Sequence, residues 1–209
     1  MNMGTRFNIE KIAEPLNLQE VAEEMLAMNE LKSRASKVLK EGFEKPFPSF
    51  QQKGDLIFLI GTTPEDISAS LYLTEYHKIE ANVSAYFNAN EDAEFKKEVK
   101  RLVEAGIMQS YKEVGIGGLF VALFEAAAKR EFGFDITLPI EFRRDAYLFG
   151  EAKSRAVVTI HERDHDKFLK LFDGSAVPHI LLGHVTKNEL RIDDESYGFM
   201  DELKVQWIA

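Results

Sequence analysis

Three glycines in four residues, Gly115, Gly117 and Gly118, follow the run Ser110-Tyr111-Lys112-Glu113-Val114 and open the apolar stretch that leads to Glu125. Glycine tolerates positive φ and close backbone approach, and a helix beginning beside Gly118 leaves its first N–H groups without intrahelical partners. A strand, a glycine turn and a helix N-terminus in series make an anion-binding arrangement, with Lys112 able to add positive charge. G-x-G-G falls short of the full G-x-G-x-x-G fingerprint, and the same spacing lets a helix pack tightly on a strand. Spacing alone leaves both readings open.

Further groups of this kind stand along the chain. Glu151 and Arg155 lie in the run Gly150-Glu151-Ala152-Lys153-Ser154-Arg155, and Glu125 sits about two turns into the apolar helix, where a buried carboxylate needs a partner. Either Glu125 pairs with Arg155 or Lys153 as a structural ion pair, or Glu151 and Arg155 face a ligand phosphate or metal. His161-Glu162-Arg163-Asp164-His165 spells H-E-x-x-H, which on one helix face would place two zinc ligands and a general base. Here the strand Val157 to Ile160 runs up to His161, so the histidines should straddle a strand-to-helix turn, and the flanks are charged where a metal helix would be apolar. No metal ligand and no catalytic residue is assigned. His179 and His184 alternate with apolar residues and read as packed or edge histidines.

Three blocks carry a resemblance: Ser110 to Glu125, Leu148-Phe149-Gly150-Glu151-Ala152-Lys153-Ser154-Arg155-Ala156-Val157-Val158, and Leu182-Gly183-His184-Val185. In this order they resemble the S-x-H-D-x-S-x-G-G-L-x-x-A-L-x-E, L-F-G-E-x-x-x-R-x-x-V and L-G-x-V patterns at the C-terminal end of phosphoribosylformylglycinamidine synthase, synthetase subunit. The likeness runs from about residue 54 to 203, and the family enzyme is several times longer than this chain. It implies the fold of the aminoimidazole ribonucleotide synthetase C-terminal domain and part of a ligase of purine biosynthesis. That ligase uses ATP, magnesium and ammonia from glutamine to turn formylglycinamide ribonucleotide into its amidine. The resemblance further implies nucleotide or phosphate binding at Lys112, Glu113, Gly115, Gly117, Gly118, Glu151 and Arg155. It also implies partnership with the remaining synthase domains and the glutaminase component.

The sequence departs from the family within the organising turn. Lys112, Glu113, Gly115 and Ile116 stand where the family has His, Asp, Ser and a polar residue, so hydrogen-bond capacity is lost and only main-chain N–H groups and Lys112 remain for an anion. In the segment after Thr63, Ser70 and Tyr72 match the family's G-G-S-E-Y while its glycines and acid are absent. The chain alone is therefore expected to be structural and inactive. The alternative is a stand-alone nucleotide- or protein-binding module of the same fold. A face left by a missing neighbouring domain makes a homodimer possible.

Composition bounds the rest. With 209 residues, 45% hydrophobic and 29% charged, the chain can bury a sizeable core. A net charge of −9 disfavours nucleic acid and anionic membranes as partners, and the lack of cysteine excludes disulfides and thiolate chemistry. The amino terminus has no apolar signal core and no run approaches the roughly 20 apolar residues of a spanning helix, so a cytoplasmic location is expected.

The elements that must position these groups follow from periodicity. Leu18, Val21, Met25, Met28 and Leu31 recur at helical spacing and predict an amphipathic helix from 18 to 41, closed by Gly42 and stopped by Pro46 and Pro48. Residues 1–53 thus read as an N-terminal helical segment and 54–209 as the synthetase-like domain. Asp55 to Ile60 is a buried strand; Thr63, Pro64 and Asp66 predict a helix running to Tyr76. Asn90 is expected to cap a helix with a Phe95, Val99, Leu102, Val103 face ending at Gly106. Strands follow at 107–114, 134–138, 155–161 and 179–186, with helices at 117–130, 141–147 and 163–172. Asn188-Glu189 is read as a tight turn pairing 179–186 with 190–192 in a hairpin, and a last helix carries Phe199, Leu203 and Trp207. Hairpin and helices together argue for an α/β (α+β) layered sandwich of a mixed sheet with packed helices.

Overall fold

A computed structural model describes residues 12–28, 31, 47–80 and 84–208. The first helix, α1 (Leu18–Ala27), starts where the Asn17 side chain accepts from the N–H groups of Gln19 and Glu20. Val21 and Met25 are fully buried, and Leu18 and Met28 pack against the same core. The single helix expected from 18 to 41 does not form: Met28 turns extended, with φ −65 and ψ 130, and ends α1 at Ala27. Of the expected continuation, Leu31 is helical and buried, and the rest, with Gly42 and Pro46, lies outside the described residues.

Strand β1 (Leu56–Ile60) is followed by irregular chain, not by the helix expected from Thr63. The Asp66 carboxylate accepts from the N–H of Ser68, and the Ser70 hydroxyl donates to the Ile67 carbonyl, so local polar side chains take the backbone groups that a helix would need. Ala69 adopts φ +57, which also breaks a right-handed helix. Helical structure resumes only as a single π turn, Tyr72–Tyr76.

Helix α2 (Ala89–Ala105) begins two residues earlier than expected, because the Asn88 side chain accepts from Asn90 and Glu91. It ends at Gly106 with φ +65, the left-handed cap the sequence signals. Strand β2 (Met108–Glu113), helix α3 (Gly118–Ala128), strand β3 (Gly133–Ile136) and helix α4 (Arg144–Phe149) follow. The last of these lies slightly later than the 141–147 expected. Strand β4 (Ala156–Ile160) leads through a 3-10 turn to α5 (His165–Phe172). Strands β5 (His179–Thr186), β6 (Glu189–Ile192) and β7 (Glu195–Phe199) precede α6 (Met200–Ile208). Phe199 therefore ends a strand, half-exposed, while Met200, Leu203 and Trp207 take the buried positions of α6.

The strands form one mixed sheet in the order β2-β4-β1-β5-β3-β6-β7. Among the described residues every neighbouring pair is antiparallel except β3 with β6. The expected hairpin between β5 and β6 does not form, because β3 is inserted between them. Gly133 permits the insertion: a Cβ there would lie 2.1 Å from the Glu189 carbonyl oxygen and 2.5 Å from Thr186 Oγ1. The hairpin is instead β6 to β7, turned by Asp193 and Asp194 with φ +52 and +69, the pair of positive angles that a two-residue type I′ turn requires.

Alternation along β1 divides the core in two. Ile57 and Leu59 face the large cluster filled by α1, α3, α4 and α6, whereas Phe58 and Ile60 face a smaller one built on Phe95 and Leu102 of α2 with Phe168 and Phe172 of α5. The expected layered sandwich with a mixed sheet is what is found.

Candidate functional site

The residues singled out by their chemistry gather at one end of the sheet, where β2 and β4 meet the glycine turn. Val114 donates its N–H to the Arg155 carbonyl, closing the end of β2 onto the start of β4. Beyond it the Gly118 N–H donates to the Gly115 carbonyl at 3.0 Å, and Gly117 and Gly118 take φ +83 and +74. A Cβ on Gly118 would stand 2.5 Å from the Leu148 carbonyl oxygen and 2.7 Å from Phe149 Cα. Helices α3 and α4 thus meet backbone to backbone, and this glycine is required by packing.

The turn does meet an anion, and the anion belongs to the chain. Glu151 Oε1 accepts from the N–H of Gly117 at 2.9 Å, at the positive end of α3, and from the N–H of Leu71 at 2.8 Å. One carboxylate oxygen ties the glycine turn to the segment that enters the π turn. Lys112 is spent in the same way: its side chain points from β2 toward α3 and pairs with Glu125 at 2.5 Å, the two side chains being 14% and 5% exposed. Sequence reasoning placed Arg155 or Lys153 opposite Glu125. The alternation of β2 puts Lys112 there instead.

Arg155 is 1% exposed and, among the described residues, forms no ion pair with a carboxylate. Its Nη2 donates to the Gly150 carbonyl at 2.6 Å and its Nε to that of Ala152 at 3.3 Å, so it braces the 150–155 loop from inside. Burial pulls its guanidinium down to about 10. The ion pair of Arg155 with Glu125 expected as one reading does not form, since Glu125 pairs with Lys112.

Glu113 projects to the opposite face of β2, where it accepts from the Tyr111 hydroxyl at 2.9 Å. With Gly115 it borders a groove of about 710 Å³ between α2 and β2, floored by Phe95, Val99 and Val114. The seven candidate residues are therefore brought to one end of the fold but divided between its two faces, and they do not converge on one open cradle. Sequence reasoning missed Leu71, whose main chain completes the carboxylate clasp, and Asp92, which accepts from Ser154 Oγ at 2.7 Å and fastens α2 to the same loop. Main-chain donors leave no residue-type signal. Asp92 and Ser154 are 62 residues apart and become neighbours only through the fold.

The remaining sequence motifs resolve as packing. His161 follows the end of β4, with Nδ1 2.7 Å from the buried Asp55 carboxylate, while His165 opens α5 with its ring against Phe58. The H-E-x-x-H string thus spans a strand end, a 3-10 turn and a helix start. His179 packs on Phe172, and His184 is exposed. Ser70 is buried in its own turn; Tyr72 donates to Asp145 at 2.6 Å, and Arg143 grips the same carboxylate with two nitrogens. Burial and the Asp145 charge drive the Tyr72 hydroxyl far above its usual range. Among the described residues no group of acids and histidines could hold a metal ion, and no helix is long and apolar enough to cross a membrane.

The family described as AIR synthase related protein, C-terminal domain, matches residues 52–194. The chain is 31% identical over 162 residues to phosphoribosylformylglycinamidine synthase subunit PurL of Alkaliphilus metalliredigens, covering 74% of this chain and 22% of that protein. The PurL subunit of Anaeromyxobacter sp. is 29% identical over 169 residues, with 76% and 22% covered. The chain thus spans about a fifth of the length of these relatives. Among solved structures, Thermotoga maritima PurL complexed with FGAR superposes with a TM-score of 0.63 at 14% identity, over 75% of this chain and 29% of that one. Escherichia coli HypE, a hydrogenase maturation protein, superposes with a TM-score of 0.53 at 15% identity, over 71% and 50%.

Proposed function

The chain belongs to the AIR synthase related family through the C-terminal domain of that family, and from this premise we propose that it is the terminal, structural domain of a phosphoribosylformylglycinamidine synthase. In this reading it serves an enzyme of purine biosynthesis that converts formylglycinamide ribonucleotide to the amidine with ATP, magnesium and ammonia from glutamine. Its partners are the remaining synthase domains and the glutaminase component, and its location is the cytoplasm. The two PurL relatives are what support the synthase assignment; the fold alone does not, because HypE has the same architecture under a different name.

The observation that carries the structural role is the Glu151 clasp. A phosphate approaching the glycine turn would have to displace a tethered carboxylate from the N–H groups of Gly117 and Leu71, and Lys112 is already paired with Glu125. Phosphoryl chemistry needs donors and cations preorganised on the transferring group. The residues present do not fit ATP with magnesium at this turn, and no catalytic step is routed through them.

Two assays on the purified chain test the proposal. Supplied with ATP, magnesium, ammonia and formylglycinamide ribonucleotide, it should form no amidine, and calorimetry with ADP and magnesium should show no binding or only a weak heat. Turnover that disappears in Glu151→Gln would overturn the reading.

A further inference from the structure

The groove on the other side of β2 has the features of a ligand site. Its volume of about 710 Å³ falls within the roughly 300–1,000 Å³ typical of small-molecule pockets. Phe95, Val99 and Val114 form the floor, and Phe87 and Val103 stand at its walls 56% and 46% exposed, so an apolar ring entering here would cover surface now in water. The Tyr111 ring borders the same space.

The polar rim is unevenly committed. Asp92 accepts from Lys96 Nζ at 2.6 Å and from Ser154 Oγ at 2.7 Å, which holds its carboxyl below the usual carboxylate range. Glu113 is bonded by the Tyr111 hydroxyl. Lys153 forms no ion pair among the described residues, and its main chain is pinned by an N–H donated to the Tyr86 carbonyl at 3.1 Å, beside Phe87. Among the described residues Lys153 is therefore a cation without an acid partner at the rim of an apolar groove. A polyphosphate is a poor match, because two carboxylates line the same groove and the chain carries a net charge of −9.

We propose that the groove between α2 and β2 binds a small aromatic monoanion, with its ring against Phe87, Phe95 and Val103 and its carboxylate or sulfonate on Lys153. This site touches the glycine turn at Gly115 but opens on the α2 face of β2, away from the Glu151 clasp, and does not depend on the synthase assignment. Apolar burial supplies attraction, and the single charge fixes orientation and excludes neutral rings.

The test is a titration of the full chain with 1-anilinonaphthalene-8-sulfonate, followed by competition with indole-3-acetate and with neutral indole-3-acetamide. Saturable one-site binding is expected, weakened about five- to tenfold in Lys153→Glu, with the acetate competing about five- to tenfold better than the amide. Val103→Asp should weaken the probe as well, and Lys97→Glu, on α2 but outside the groove, should not. Melting curves by circular dichroism identify any variant with an altered fold, in which case Lys153→Met removes the charge while keeping the apolar stem. No saturable binding, Lys153→Glu or Lys153→Met titrations that superimpose on the wild type, equal competition by the amide, or stronger competition by ATP would each overturn the proposal.

Discussion

The two faces of strand β2 reach the same end of the sheet in opposite states. On the α3 face the groups named from the sequence are taken up from within: Lys112 by Glu125, the Gly117 N–H by Glu151, and two nitrogens of Arg155 by carbonyls. On the α2 face an apolar groove stays open, and Lys153 has no acid partner among the described residues. The difference teaches that residues of binding type can be consumed as internal braces, while a less conspicuous surface keeps capacity for a ligand. Burial decides which happens, because a charge out of water must find a partner inside and a charge at the rim need not.

Breaking the closed face should have the largest effect. Lys112→Met leaves the buried Glu125 carboxylate without its cation, and a loss of about 3–5 kcal/mol in unfolding free energy is expected from urea titration. The double variant Lys112→Met with Glu125→Leu should recover most of it, since an apolar pair of similar size avoids the desolvation cost. A double variant no more stable than the single would show that the pair does more than satisfy itself.

A smaller loss is expected at the clasp. Glu151→Ala deprives the N–H groups of Gly117 and Leu71 of their acceptor and should cost about 2–4 kcal/mol, whereas Glu151→Gln keeps a carbonyl oxygen and should cost about 1 kcal/mol. Amide hydrogen exchange offers a direct check: protection at Gly117 and Leu71 should fall in the alanine variant and persist in the glutamine one. Equal exchange in both would mean that the carboxylate is not what holds these groups.

The open face should scarcely respond. Val103 is 46% exposed at the groove wall, so Val103→Asp should change stability by no more than about 0.5 kcal/mol, measured by the same urea titration. A loss comparable to that of Lys112→Met would erase the contrast between the faces and make the groove part of the core.

Much of this was legible in the residues. Gly106 announced the end of α2, the run from Leu56 to Ile60 announced a buried strand, and the glycine-rich turn with its apolar helix stood where the motif put it. The helix read from Thr63 failed because Asp66 and Ser70 use their side chains on nearby backbone, a competition that a capping signature does not reveal. The hairpin of β5 and β6 failed for a different reason. Strand proximity in sequence says nothing of a third strand inserted between them, and the close approaches allowed by Gly133 and Gly183 make room for β3.

The sequence by itself determined where the backbone can turn and which stretches bury apolar side chains, because propensity and periodicity act locally; the family resemblance came from the motif blocks at Ser110 to Glu125, Leu148 to Val158 and Leu182 to Val185. Only the tertiary structure decided the partners. Lys112 and Glu125 are 13 positions apart, and Glu151 is 34 from Gly117 and 80 from Leu71, distances over which residue type carries no pairing information. Strand order and helix docking select which carboxylate meets which donor, and burial then makes those choices costly to undo.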